Sequence, residues 1–324
     1  MTIKKIKTAT KEEWLLERSK SLGGSDMGAV LGLNEYSSPY TVWADKTGRL
    51  PPKEYNEAMR LGNDLEPYVA ERFTKASGFK LRNDNRTWRN DKFPHLHANC
   101  DRLIIGQKAG LECKTTSTLN EKKYRDGKFI DSYYAQCVTY LAVTEFERWY
   151  LAVLIFGVGL RIYQLTRIKD DVKPEWCESS VYVEDEEIKA LGKAAEDFWR
   201  YVETDTAPPT DGSDSTTKTI TTIYQGSTEG SLSLNGFEGD MRQYLEIGKR
   251  IKELSDIQNE CANRIKAFMG EMPKGECQDF RVTWSPSTRS TFDSKKFALE
   301  HPELDLSTYY KTTSTRTFKI TEKR

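Results

Sequence analysis

Three ionisable side chains in the segment CDRLIIGQKAGLECKTT, Cys100 to Thr116, have the types and spacing to do chemistry: Asp101, Glu112 and Lys114. Leu103, Ile104 and Ile105 are apolar and strand-prone, Gly106 and Gly110 bracket a polar turn, and Leu111 to Thr115 alternates, so the segment reads as a β-hairpin. Period two puts Glu112 and Lys114 on one face, roughly 6–7 Å apart along the strand, and turns Leu111 and Cys113 toward a core. A neighbouring strand ending near Asp101 would bring a second carboxylate to the same place. Two carboxylates and a lysine can hold a divalent cation and handle a water. They can also be an exposed strand face with an ordinary ion pair. Glu-x-Lys recurs at Glu121–Lys123 and Glu187–Lys189, the first in a charged loop and the second on a helix, where residues two apart diverge. Both read as solvated surface.

The elements around the hairpin decide between these readings. Trp14–Lys20 is helical in pattern and leads into SLGGSDMGAVLG, Ser21–Gly32, where the Gly-Gly-Ser-Asp turn is expected to supply the N-cap of a short apolar helix. Tyr55–Ser77 is a helical pattern ending at Gly78, with Gly62 and Pro67 predicting a kink or two abutting helices. Strands are expected at Phe79–Trp88, Leu96–Ile105 and Leu111–Thr115, then a polar loop over Ser117–Lys128 and a helix over Ser132–Val143. Two apolar strands, Arg148–Phe156 and Leu160–Thr166, precede a charged helix, Glu184–Val202. Residues with polar chemistry recur along this order: Arg18 and Ser25 flank the Gly-Gly turn, Glu66 sits on the long helix, and Gln136 and Tyr140 share a helix face four residues apart.

Thr204–Thr222 is rich in Pro, Gly, Ser and Thr and reads as a linker. Beyond it, Tyr244, Ile247, Ile251, Leu254, Gln258, Cys261, Ile265 and Phe268 alternate at spacings of three and four, a heptad seam for another chain or for the protein's own domain. The tail predicts a strand at Phe280–Trp284, a helix at Ser294–His301 and a strand at Thr315–Ile320. The expected division is 1–203, a 204–236 linker, and a 237–324 extension.

Composition sets the outer bounds. Lys+Arg and Asp+Glu both number 49, so net charge does not announce a nucleic-acid binder, and any basic surface must be local. The longest apolar run, Tyr150–Phe156, is strand-sized and predicts no membrane span. Six scattered cysteines without a Cys-x-x-Cys pair argue against a zinc ribbon, an iron–sulfur cluster or a disulfide framework. The N-terminus lacks a signal-like apolar stretch, so a cytoplasmic chain is expected.

The order of helix with Glu, strand with Asp, strand with Glu-x-Lys and helix with Gln-x-x-x-Tyr resembles the PD-(D/E)xK nuclease superfamily. More narrowly, Arg18 to Arg167 resembles the lambda exonuclease / YqaJ-type viral recombinase family. RSKSLGGSDMGAVLG is similar to the family's opening, GNDLEP to its helical acid motif, ANCDRLI to its Asp strand and LECKTT to its (D/E)xK strand. The resemblance implies an α/β, restriction-endonuclease-like core with a mixed central sheet flanked by helices, followed by a helical and α+β extension.

The chemistry follows from that resemblance and from the residue types. Phosphodiester hydrolysis needs an attacking water, charge stabilisation on the phosphate and help for the leaving alkoxide, which a divalent ion supplies together. Hard oxygen ligands suit Mg²⁺ or Mn²⁺, one ion or two. Asp101 and Glu112 provide them, and the resemblance adds the Cys113 backbone carbonyl and Glu66. Lys114 would orient the attacking water, Gln136 would hold the Lys114–water arrangement or a phosphate oxygen, and Tyr140 would pack behind it, in the DNA-binding set. Arg18 matches phosphate oxygens bidentately, and Ser25 with backbone N–H groups would complete a 5′-phosphate pocket. Lys122, Lys123, Arg125 and Lys128 offer phosphate contacts beside the site. The expected activity is 5′→3′ exonuclease action on linear double-stranded DNA, leaving 3′ tails for phage-type recombination in a bacterial host, beside a single-strand annealing protein. A homo-oligomer, with a trimer among the states, is implied by resemblance alone. The alternatives are an endonuclease of the same superfamily, or an inactive DNA-binding recombination scaffold.

Overall fold

A computed structural model describes residues 2–52, 55–311 and 316–322. The chain opens with β1 (Ile3–Lys7), α1 (Lys11–Ser19), the two-residue β2 (Leu22–Gly23), α2 (Gly24–Val30), α3 (Pro39–Lys46) and α4 (Glu57–Ser77). Strands β3 (Leu81–Asn83), β4 (Arg86–Asn90), β5 (Leu96–Asn99), β6 (Arg102–Ile104) and β7 (Ala109–Thr116) follow. A 3-10 helix (Thr118–Tyr124) leads to α5 (Asp131–Thr144), then β8 (Arg148–Ile155), β9 (Gly159–Thr166), β10 (Ser179–Tyr182), α6 (Asp185–Glu203) and α7 (Asp214–Ile223). Residues 1–224 form one compact unit and 225–324 another.

The first unit is an α/β layered core. Its six-stranded mixed sheet has the order β10-β9-β8-β7-β6-β3, with β7 parallel to β8 and antiparallel to β6. A four-stranded sheet has the order β1-β4-β5-β2. β8, RWYLAVLI, is buried along nearly its whole length, as a strand covered on both faces must be. α5 is buried from Ala135 to Thr144, apolar on almost every side, and packs against strands of both sheets. One core gathers around it, with Trp149, Leu141, Leu151 and Leu96. A second lies under α4, where Val69, Ala70 and Phe73 meet Leu111, Tyr150 and Ile104.

Several expected elements differ. Phe79–Trp88 is two strands in different sheets, β3 and β4, separated at the turn-forming Asp84-Asn85, where the Asp84 carboxylate accepts from Arg86 and from the Trp88 indole at 2.5 and 2.6 Å. Leu96–Ile105 likewise divides into β5 and β6. α4 is one helix through Pro67, capped by Asn56 at its start and by Gly78 with φ 74° at its end. Part of the expected linker is helical: Ser213 caps α7, and Ser215, Thr216 and Thr219 bond to Ser38, the N-cap of α3, and to Thr41 on its first turn at 2.7–2.8 Å. Short hydroxyl side chains, in a tract expected to be a linker, here satisfy one another between α7 and the start of α3.

In the second unit α8 (Glu238–Met269) is a 32-residue helix, and β11 (Lys274–Glu276) pairs with β12 (Arg281–Thr283) before α9 (Ser294–Glu300). Of the strand expected at Thr315–Ile320, Thr315 lies outside the described residues and 316–320 form no strand.

Candidate active site

Asp101 occupies the bend between β5 and β6, where the chain leaves the four-stranded sheet for the six-stranded one. Its Oδ2 accepts the Cys113 N–H at 2.8 Å. The β6–β7 pairing ends at Arg102–Leu111, so Cys113 has no strand on that edge and Asp101 takes the vacant place. The N–H and C=O of one strand residue point to the same edge, which turns the Cys113 carbonyl toward Asp101 as well.

Glu112, on the other face of β7, is only 2% exposed. Its Oε1 receives the Lys114 ammonium at 2.6 Å and the Gln136 amide at 2.6 Å. Its Oε2 is buried without any hydrogen-bond partner. Gln136 also donates to the Tyr140 hydroxyl at 2.7 Å, so its amide serves Glu112 rather than Lys114. Lys114 lies 5.1 Å from the centre of the Tyr133 ring. A side chain at Gly24 would meet the Tyr140 ring at 2.8 Å and Gln136 Cγ at 2.9 Å. Glycine therefore seats the start of α2 directly on the Gln136–Tyr140 pair.

Burial, then the charge of Glu112, pushes the Asp101 carboxyl well above the usual carboxylate range. Burial works the opposite way on Lys114, but Glu112 and Asp101 overcome it and hold the ammonium above its ordinary value. A buried carboxylate oxygen with no donor costs on the order of 1–3 kcal/mol, and a cation is the partner that removes that cost. The donor set of Asp101, Glu112 and the Cys113 carbonyl is all hard oxygen, fitting a Mg²⁺-like ion that keeps part of its water.

The remaining expected residues are placed unevenly. Glu66 on α4 is held by the guanidinium of Arg102, which also donates to the Asp101 carbonyl at 2.6 Å. Glu66 thus reaches the neighbourhood of Asp101 already paired, and among the described residues no three His, Cys, Asp or Glu side chains converge on one point. Tyr140, expected to touch DNA, is buried against Trp149 and can only support Gln136. Ser25 does not cap α2: Gly23 does, and its N–H goes to the Asp26 carboxylate at 2.9 Å. Ser25 is exposed on the first turn. Arg18 donates to the Asn99 side chain at 3.2 Å, two residues before Asp101, and stacks on Trp14. Of the basic loop, Lys123 pairs with Glu35 and Arg125 with Glu121.

Beneath Gly23, His97 is fully buried, with Nδ1 2.8 Å from the Ser21 hydroxyl and Nε2 without a partner. Burial first, then the Arg18 and Lys46 charges, push its imidazole well below the ordinary range. Asn99, Arg102 and Tyr133 were not singled out from sequence. Tyr133 lies three residues before Gln136 and so shares its helix face. Asn99 and Arg102 flank Asp101, but nothing in sequence says that Arg18 or Glu66 will meet them.

Sheet order and site chemistry together define an α/β protein with a carboxylate–lysine centre on an interior strand. Residues 13–147 match the YqaJ-like viral recombinase domain. The chain is 34% identical over 302 residues to the "Uncharacterized protein YqaJ" of Bacillus subtilis (strain 168), covering 91% of this chain and 89% of that one. This chain belongs to the YqaJ-like viral recombinase family. Among solved structures it is similar to the alkaline exonuclease LHK-Exo of Laribacter hongkongensis, at 17% identity and TM-score 0.46, over 60% of this chain and 94% of that one. It is also similar to a phage-related exonuclease of Haemophilus somnus 129PT, at 12% identity and TM-score 0.38, over 57% of this chain and 96% of that one.

Proposed function

We propose that the protein is a metal-dependent nuclease that digests linear double-stranded DNA in the 5′→3′ direction, leaving 3′ tails for recombination. The observation that carries this reading is the buried Glu112 carboxylate, one oxygen fixed by Lys114 and Gln136 and the other unpartnered, on the strand whose next residue is bonded by Asp101.

Mg²⁺ or Mn²⁺ held by Asp101, Glu112 and the Cys113 carbonyl would supply Lewis acidity toward the phosphate and a lowered pKa for bound water. The chain's own groups do the rest. Lys114 stays protonated beside two carboxylates, so it acts as a donor that orients the attacking water and steadies the phosphate oxygens, not as the base. Gln136 locks the Glu112 rotamer, and Tyr140 with Gly24 locks Gln136. Glu66 acts through Arg102 unless that pair opens. Arg18, with Asn99 beside it and Ser25 exposed on the first turn of α2, offers a pocket for a 5′-phosphate, and that pocket carries the choice of end and polarity. An annealing partner and a homo-oligomeric state rest on family resemblance, and the mass of the protein in solution tests the second.

The test is hydrolysis of linear duplex DNA carrying a 5′-phosphate and a labelled 3′ end, with Mg²⁺, beside closed circles, EDTA and Lys114→Ala. The label stays in a lengthening 3′ tail, circles survive, and EDTA or the variant stops the reaction. Cut circles would turn the assignment to an endonuclease, and binding without cleavage to a DNA-binding scaffold.

A further inference from the structure

The second unit is built on α8, and no residue of that 32-residue helix is buried. A helix takes most of its stability from packing an apolar face, and Gly239 and Gly248 weaken this one further as an isolated element. The apolar face is a seam of eight residues at alternating spacings of three and four. With Tyr244 at heptad position a, Ile251, Gln258 and Ile265 share that position, and Ile247, Leu254, Cys261 and Phe268 take d. The six aromatic and aliphatic side chains among them are 46–94% exposed. Phe318, near the end of the chain, meets Tyr244 edge to face at 5.7 Å and still leaves it half exposed.

The rest of the helix is arranged for a second helix on this seam. Glu246, Lys252, Asp256 and Glu260 fall at b, c and f, which point away from a partner. Position e is small at Gly248, Ser255 and Ala262, so two helices can approach closely. Across a parallel pair, Arg250 and Ile257 at g then face Ser255 and Ala262 rather than another charge. β-Branched residues at a with leucine at d favour two strands, and Ile251 and Ile265 with Leu254 follow that rule. The polar layer fixes the direction. In a parallel pair in register, Gln258 faces its own counterpart in the second copy, and one amide can donate to the other. An antiparallel pair on the same seam sets Gln258 against Leu254 and leaves a buried amide without a partner. Closing the seam buries on the order of 1,000 Å² over both helices, the size at which a specific interface becomes possible. We propose that α8 pairs with α8 of a second copy of this chain, parallel and in register, as a two-stranded coiled coil along Tyr244–Phe268. The inference rests on the second unit alone and stands apart from the nuclease reading.

Position d brings Cys261 against the same residue of the second copy, so the chain carries its own probe. Cys277→Ser removes the other exposed thiol, and that full-length chain is oxidised with copper–phenanthroline and run on a gel without reductant. A disulfide-linked dimer is expected in most of the protein. Moving the thiol to the outer face, by Cys261→Ser with Glu260→Cys, lowers the yield about tenfold or more, because the outer thiols meet only by collision. Ile251→Lys with Leu254→Lys lowers it equally and halves the mass in solution measured by light scattering. Equal linking of the inner and outer thiols overturns the proposal, as does a mass that the two lysines leave unchanged. Unlinked Cys261 in a chain whose mass the lysines halve would overturn the parallel direction. A fall to one third would make the seam three-stranded and overturn the two-stranded form.

Discussion

At the scale of residues, the site is a contest over protons. Asp101, buried beside Glu112 and Glu66, prefers to keep its proton, and only a cation makes full ionisation favourable. Because the proton must leave before the ion binds, apparent Mg²⁺ affinity should rise with pH until Asp101 is ionised without help. Calorimetric titrations at several pH values check this, and Asp101→Asn should lose both the affinity and its pH slope. Lys114→Ala separates binding from chemistry. It should lower turnover by roughly 10²–10⁴-fold, the range for a positioned proton-handling group, with Mg²⁺ binding retained. A comparable loss of both would mean that the ammonium holds the carboxylates in place rather than serving the water.

The elements position those residues by close approach. Gly24→Ala gains a little helix propensity at the first turn of α2, but its methyl would lie 2.8–3.1 Å from Tyr140, Gln136 Cγ and the Gln136 carbonyl. Tyr140 and Gln136 are buried and bonded to each other, so neither can yield, and overpacking of this kind costs roughly 1–3 kcal/mol. Urea denaturation should show that loss, with a larger fall in nuclease rate because Gln136 no longer holds Glu112. His97 gives the layer below a pH response. It faces Arg18, Lys46, Arg89 and Asp26, and its folded-state pKa lies below the ordinary 6.5. The folded state therefore refuses a proton that the unfolded chain accepts, and stability falls as pH drops below that value, by up to about 1.4 kcal/mol per pH unit. Asp101, which holds its proton in the folded state, acts in the opposite sense in both proteins, so thermal unfolding between pH 7 and 5 should show the natural protein losing stability relative to His97→Gln as pH falls.

The whole chain divides after Tyr224, not at the start of the hydroxyl-rich tract. A chain ending at residue 203 loses α7, strips the Ser38 and Thr41 hydroxyls of every partner but each other and bares the core beside Ile220 and Ile223. It should be roughly 2–4 kcal/mol less stable than a chain ending at 224. The 1–224 chain should keep nuclease activity, so comparing denaturation and hydrolysis of the two truncations locates the boundary.

What the sequence determined by itself is the chemistry and its local periodicity. Alternation placed Glu112 and Lys114 on one face of β7, and helical spacing paired Gln136 with Tyr140. Helical patterning gave α4, α5 and α6 close to their bounds, and the heptad seam fell within α8. These are properties of neighbours along the chain, where backbone geometry leaves few choices. Only the tertiary structure decided that Asp101 sits at a change of sheet, since the Leu96–Ile105 stretch carries no Gly or Pro to mark a break. It also decided that Arg102 claims Glu66, that Gly23 rather than Ser25 begins α2, that Tyr140 is walled in, and that the hydroxyls of α7 seek α3 instead of water. Each of these turns on which distant group arrives first at a hydrogen bond or a buried charge. That competition is settled by packing in three dimensions, and no spacing along the chain records its outcome.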